Sequence, residues 1–253
     1  MLRILSLLTG ILFSALVHAD YQFGFANTYF DYLSWNQGTQ GYNGIDVSED
    51  RDDHVTWGIE AGVTFDWGEA YGFMEAEKLD KSADVRSQAF KVSAHYRLGG
   101  EWTVYGQVYD YSESGGFVDE QNRVLGLGYL GISTETYWFK PFLGLHHVTS
   151  PFNDPFGNNI SGFNGGMLGW NLGAFFSIGA ADFMFTHWNE IEFARNSEYA
   201  DYQNGDTGLN GAIALWYDIS KHVYVGIQYR YFANKLGVDD YGDAIIWRIG
   251  AHF

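Results

Sequence analysis

The sequence predicts an all-β fold, a single transmembrane antiparallel β-barrel of 12 strands with short turns at one end and long loops at the other. Three observations predict it. Apolar and polar residues alternate with a period of two through segment after segment. Such segments have one greasy and one wet face, because side chains alternate across a strand. The connections alternate between short and long, which a closed hairpin barrel explains and a soluble sandwich has no reason to keep. Basic residues inside the segments fall on the wet face, where a membrane barrel needs them.

The clearest element is 55–67. Val55, Trp57, Ile59, Ala61, Val63, Phe65 and Trp67 form an apolar row between Thr56, Gly58, Glu60, Gly62, Thr64 and Asp66. Trp57 and Trp67 stand near the two ends of that row, as girdle aromatics do. Gly68-Glu69 reads as a two-residue turn into 70–79. The same rhythm runs through Met167 to Ile178, Leu209 to Ile219 and Val223 to Tyr231. It ends the chain with Ile245, Trp247, Ile249, Ala251 and Phe253 on one face and Ala244, Ile246, Arg248, Gly250 and His252 on the other. Filling in the rest places strands near 23–36, 55–67, 70–79, 88–98, 102–112, 123–132, 137–148, 166–178, 181–193, 208–219, 222–233 and 244–253. The segments near 123–132 and 181–193 alternate poorly. Short turns lie at 68–69, 99–101, 133–136, 179–180 and 220–221. Both termini then belong to the short-turn end.

Residues 1–19 read as a secretory signal. Arg3 precedes an apolar run from Ile4 to Val17, and Val17-His18-Ala19 sets small residues before Asp20. That run is short of the ~20 residues a helical span needs. Residues 20–253 are then one barrel. The net charge of −17, from 31 acidic and 14 basic residues, argues against a nucleic-acid polymer as partner. With no cysteine, disulfides and thiolate metal sites are excluded. Aromatics make up 19% and glycine 32 residues against 3 prolines, which suits twisted strands, tight turns and girdles. Mean hydropathy of −0.19 fits a barrel, where only every second strand residue meets lipid.

Lys91, Arg97, Lys140, Arg230 and Arg248 all take the inward phase, with the acids Glu60, Asp66, Glu75 and Asp218, and Glu77 near the loop end. Lys78 takes the outward phase, at a strand end. Inward aromatics are Tyr71, Phe73, Tyr105, Tyr109, Phe175, Trp216 and Trp188. Two readings stay open for these groups. Either the charges pair across the lumen and the rings fill it, or together they line a narrow path for a planar ring carried on a polar body. A catalytic reading finds His146, His147 and Ser150 near one loop end and Asp182 with His187 on a strand, but no Gly-x-Ser-x-Gly. His95, His187 and His222 read as girdle or lumen histidines. The acids Asp46, Glu49, Asp50, Asp52 and Asp53, and Asp239, Asp240 and Asp243, match no EF-hand spacing and read as solvated loop acidity.

The stretch Phe65-Asp66-Trp67-Gly68-Glu69-Ala70-Tyr71-Gly72-Phe73-Met74-Glu75 resembles the early hairpin of the nucleoside-specific channel-forming (Tsx-like, OmpK-like) outer-membrane proteins. Phe73 stands for that family's second tyrosine and Glu75 for its aspartate. Tyr29-Phe30-Asp31-Tyr32-Leu33-Ser34-Trp35, Trp138-Phe139-Lys140-Pro141-Phe142, 182–190 and the terminal strand also resemble it. The resemblance implies a 12-stranded barrel in the outer membrane of a Gram-negative bacterium, passing nucleosides by diffusion without energy or cofactor. It carries over Tyr71, Phe73 and Glu75 as lining residues. Joined to the inward-phase reading, the expected path is Tyr71, Phe73, Glu75, Glu60, Arg97, Phe175, Trp188, Trp216, Arg230 and Arg248. Expected partners are nucleosides or similar small solutes, outer-membrane lipid and lipopolysaccharide, and the barrel-assembly machinery through Phe253. The alternative is a surface receptor, structural barrel or small general porin.

Overall fold

The computed structural model describes residues 19–36, 41–42, 45–46, 52–114, 119–153, 159–236 and 238–253. Its strands are β1 (Tyr21–Trp35), β2 (Gly41–Tyr42), β3 (Ile45–Asp46), β4 (His54–Phe65), β5 (Gly68–Glu77), β6 (Ser87–Gly99), β7 (Trp102–Glu113), β8 (Asp119–Tyr129), β9 (Ile132–Ser133), β10 (Tyr137–Asn153), β11 (Asn159–Ile178), β12 (Ala181–Phe193), β13 (Gly208–Ser220), β14 (Val223–Lys235) and β15 (Val238–His252). A short helix, α1 (Ser197–Tyr202), lies between β12 and β13. β2 and β3 pair only with each other, and β9 borders the start of β10. The other 12 strands pair with their chain neighbours, all antiparallel, and β1 pairs β15 to close the barrel.

Closure removes the sheet edge, which hydrocarbon does not tolerate. Each of the 12 segments expected from the sequence is a barrel strand. Both termini meet the short-turn end: Asp66 N donates to Asp20 O, and Phe253 N donates to Ala26 O. Residues 1–18 of the expected signal and the loop acids Glu49 and Asp50 lie outside the described residues.

The outer wall follows the alternation. Trp57, Ile59, Leu125, Leu127, Ile213, Leu215, Trp247 and Ile249 are exposed, while their strand neighbours face in. Trp67 stacks between Phe65 and Tyr96, at 5.2 and 6.0 Å, as a girdle at the short-turn end.

Four expectations are corrected. The first hairpin turns at Asp66-Trp67, not Gly68-Glu69, because Phe65 already pairs Gly68. A Cβ on Gly68, at φ 143°, would lie 1.9 Å from the His95 carbonyl, so this close approach needs glycine. The shift is two residues, so the facing is unchanged. Asp66 therefore sits in the exposed turn, where it accepts from Trp67 N, rather than in the lumen. Lys78 does not point outward. Its left-handed backbone, φ 57°, breaks the alternation just past β5, and its buried ammonium donates to Glu113 at 3.1 Å. The poor alternation of β12 has a local cause as well. His187 and Asn189 occupy outward positions, in register with Ile213 and Gly211. The Tyr231 hydroxyl crosses Gly211 to bond both, at 2.8 and 2.9 Å, and Trp170 Nε1 donates to His187. Polar groups inside the apolar belt thus satisfy one another, as hydrocarbon demands. His187 is neither a girdle nor a lumen residue.

Candidate functional site

The lumen is crossed by ion pairs. Lys91 on β6 meets Glu190 on β12 at 2.6 Å. Between those strands lie β7, β8, β10 and β11 on one side, so the pair bridges nearly opposite walls. Lys140 on β10 meets Glu69 on β5 at 2.6 Å, nearer the short-turn end. At the long-loop end Lys235 on β14 contacts Glu192 on β12 and lies 3.9 Å from Glu120 on β8. All three crossings leave β15, β1 and β4 on the same side.

The other side is packed. Tyr105, Val124, Phe142 and Met167 form a buried cluster, with Tyr105 and Phe142 stacked at 4.0 Å. Below it His95 bonds Thr103 and lies over Gly128, where a Cβ would come within 2.5 Å of the ring. Tyr105 therefore fills the lumen and lines no path, because it is buried in this cluster with its ring stacked on Phe142.

Above the packed sector, the segment 194–207 folds inward. Arg195 fixes it, donating to Glu192 at 2.9 Å and to the carbonyls of Gly205 and Asn234 at 3.0 and 2.8 Å. Asn196 caps α1 by accepting from Tyr199 N. Tyr199 is fully buried against Val148 and Ile160, and its hydroxyl donates to Glu120 at 3.0 Å. Burial, then the carboxylates of Glu120 and Glu192, raise that phenol well above its ordinary value, so it remains a donor.

On the opposite side, Arg248 organises the wall of β15, β1, β4 and β5. Its guanidinium makes two 2.7 Å bonds to Asp31, its register partner across the closing seam. Glu60 and Glu75 lie 3.8 and 3.9 Å away. The plane rests 3.4 Å from the Tyr29 ring centre and 5.1 Å from that of Trp216. The Tyr29 hydroxyl donates to Glu75, that of Tyr71 to Glu60. Phe25, Tyr71 and Phe73 continue as a row of rings 6.3 and 6.4 Å apart. Such a wall offers flat apolar faces beside fixed hydrogen-bonding groups.

The expected path residues therefore separate. Tyr71, Phe73, Glu75, Glu60, Trp216 and Arg248 come together. Trp188 and Arg230 adjoin them beside the Lys91–Glu190 crossing, with Arg230 5.6 Å from the indole centre. Phe175 stands apart at the short-turn opening, beside Trp138. Arg97 bonds Glu101 across its own turn, at the rim. The sequence reading missed Tyr29, Asp31, Glu190, Glu120, Lys235 and Tyr199. Pairing the terminal strand with the first would have set Asp31 opposite Arg248. Of the candidate catalytic groups, His146 bonds Asn122 and Asn164, Asp182 accepts from Ser177, and His187 faces outward. Of the loop acids, Asp53 accepts from Ser34 and Trp35 N, and Asp243 from Asn36 and Tyr229.

Residues 28–253 match the model of the nucleoside-specific channel-forming protein Tsx. The chain belongs to this family. Its fold is also that of a solved bacterial polysaccharide outer membrane secretin, with 9% identity, a TM-score of 0.50, and 90% of this chain and 98% of that one covered. A KdgM porin in complex with disordered oligogalacturonate is similar at 11% identity and TM-score 0.43, covering 90% and 98%. The outer membrane channel DcaP of Acinetobacter baumannii is similar at 11% and 0.38, covering 94% and 98%. This Tsx-family barrel is an outer-membrane channel of a Gram-negative bacterium. Family and fold indicate transport rather than catalysis. Its short turns are periplasmic and its long loops extracellular.

Proposed function

We propose that the channel passes nucleosides or similar small aromatic solutes by passive, selective diffusion along the wall of β15, β1, β4 and β5. One observation carries this reading: the Arg248 cluster lays rings and fixed carboxylates side by side on a wall whose strands β15, β1 and β4 lie on one side of all three lumenal crossings. A base stacks on rings such as Tyr71 and Phe73, while ribose hydroxyls donate to Glu60 and Glu75. The carboxylates favour neutral solutes over anions.

The test is flux into liposomes holding the purified protein. Saturable adenosine and thymidine flux should exceed that of a disaccharide, and nucleosides should outpace their monophosphates. Phe73→Ala should weaken that preference. Size-limited flux without preference would replace this reading by a small general porin. No flux from a heat-modifiable barrel would replace it by a receptor or structural role.

In the same proposal residues 1–19 are the secretory signal, Phe253 meets the barrel-assembly machinery, and the outer wall contacts lipid and lipopolysaccharide. The Phe253 side is open for that contact, at 85% exposure.

A further inference from the structure

The geometry points to the Lys91–Glu190 pair as the specificity-determining partition of this channel, a beam that confines solute to one sector of the lumen. The inference rests on the proposed path for the sector the solute takes and for its identity. The beam is fixed at both ends and braced in the middle. Glu190 accepts from Lys91 at 2.6 Å and from Gln107, on β7, at 3.0 Å. The Tyr105 hydroxyl donates to Gln107 at 2.5 Å, and Tyr105 itself is stacked on Phe142 in the packed sector. A continuous contact chain therefore runs from the packed wall through Gln107 to Glu190 and Lys91. Trp188 sits between two cations, 5.5 Å from Lys91 and 5.6 Å from Arg230, which holds its indole beside the beam.

Paired in this way, the two charges attract neither sign of solute strongly, and their effect is steric. Without its partner, either chain would turn to the wall or to water, since an unpaired charge seeks solvation. The lumen on the Arg248 side of the pair would then widen at the height of Trp188.

The test uses the full barrel in planar bilayers, with single-channel conductance and the size cut-off for neutral sugars as readouts. Both are blind to nucleoside preference, so failure of the beam and failure of the nucleoside reading are told apart. K91M and E190Q should raise conductance by about 1.5-fold or more and admit larger sugars. The charge swap K91E/E190K should return both towards the parent. Q107L keeps the charged pair but cuts the brace, so it should give a smaller rise, and it serves if the single-charge variants do not yield a heat-modifiable barrel. Parent-like conductance and cut-off in folded K91M and E190Q, or in Q107L where those do not fold, would overturn the proposal. So would a swap that behaves like the single variants.

Discussion

Replacing Arg248 by methionine should damage stability and ion preference together, for one reason. The guanidinium makes two 2.7 Å bonds to Asp31, whose residue is 5% exposed, and lies 3.4 Å from the Tyr29 ring centre. Methionine keeps much of the volume but leaves the Asp31 carboxylate beside those of Glu60 and Glu75 with its guanidinium gone. Removing one partner of a buried pair costs about 3–5 kcal/mol, and access of lumenal water argues for the lower end. Urea unfolding in detergent, followed by tryptophan fluorescence, reads the stability. Reversal potential across a bilayer in a potassium chloride gradient reads the selectivity, which should shift towards cations. The double variant R248M/D31N removes the stranded carboxylate and should recover part of both losses. Parent-like unfolding with an unchanged reversal potential would refute the argument that Arg248 is the keystone of this wall.

Three further outcomes follow from contacts elsewhere. A Cβ on Gly58 would come within 2.3 Å of the Tyr29 ring, so Gly58→Val should cost about 1–3 kcal/mol and weaken saturable flux by displacing Tyr29; equal stability in the unfolding assay would exclude the clash. Tyr199→Ala empties a fully buried ring site, at a cost of about 3–5 kcal/mol, and should release segment 194–207. Trypsin should then cut after Arg195 in the variant and spare the parent, and resistance of both would show that Arg195 alone holds the segment. His187→Leu takes the acceptor from Trp170 Nε1 inside the lipid belt while Tyr231 keeps its bond to Asn189, so stability should fall by about 1–3 kcal/mol. A larger loss on urea unfolding would assign the ring more than mutual satisfaction of polar groups.

Lipid made the barrel legible. Every outward residue must be acceptable to hydrocarbon, so a period of two was enforced at positions such as Val55 to Phe65, and strand parity followed from it. The lumen imposes no such period. Lys91 and Glu190 stand 99 positions apart, and nothing local to either names the other. Inward phase alone could not separate Tyr105, which packs on Phe142, from Tyr71, which joins the Arg248 wall through Glu60. Arg97 and Phe175 had the right phase but the wrong height, since alternation reports the face and not the depth. Lys78 departs from its phase because a single left-handed residue ends the alternation without a glycine to announce it. His187 and Asn189 blurred β12 because their partner, Tyr231, lies two strands away.

The Asp31–Arg248 register has a consequence for biogenesis. These residues are 217 positions apart and meet only when the first and last strands zip. A seam that slipped by two residues would set Arg248 opposite Tyr29 or Leu33 and leave Asp31 stranded. Correct closure and a working lumen are therefore a single event, and a barrel sealed in the wrong frame would be marked by instability from within. Quality control by thermodynamics is built into the hydrogen-bond ladder that closes the barrel.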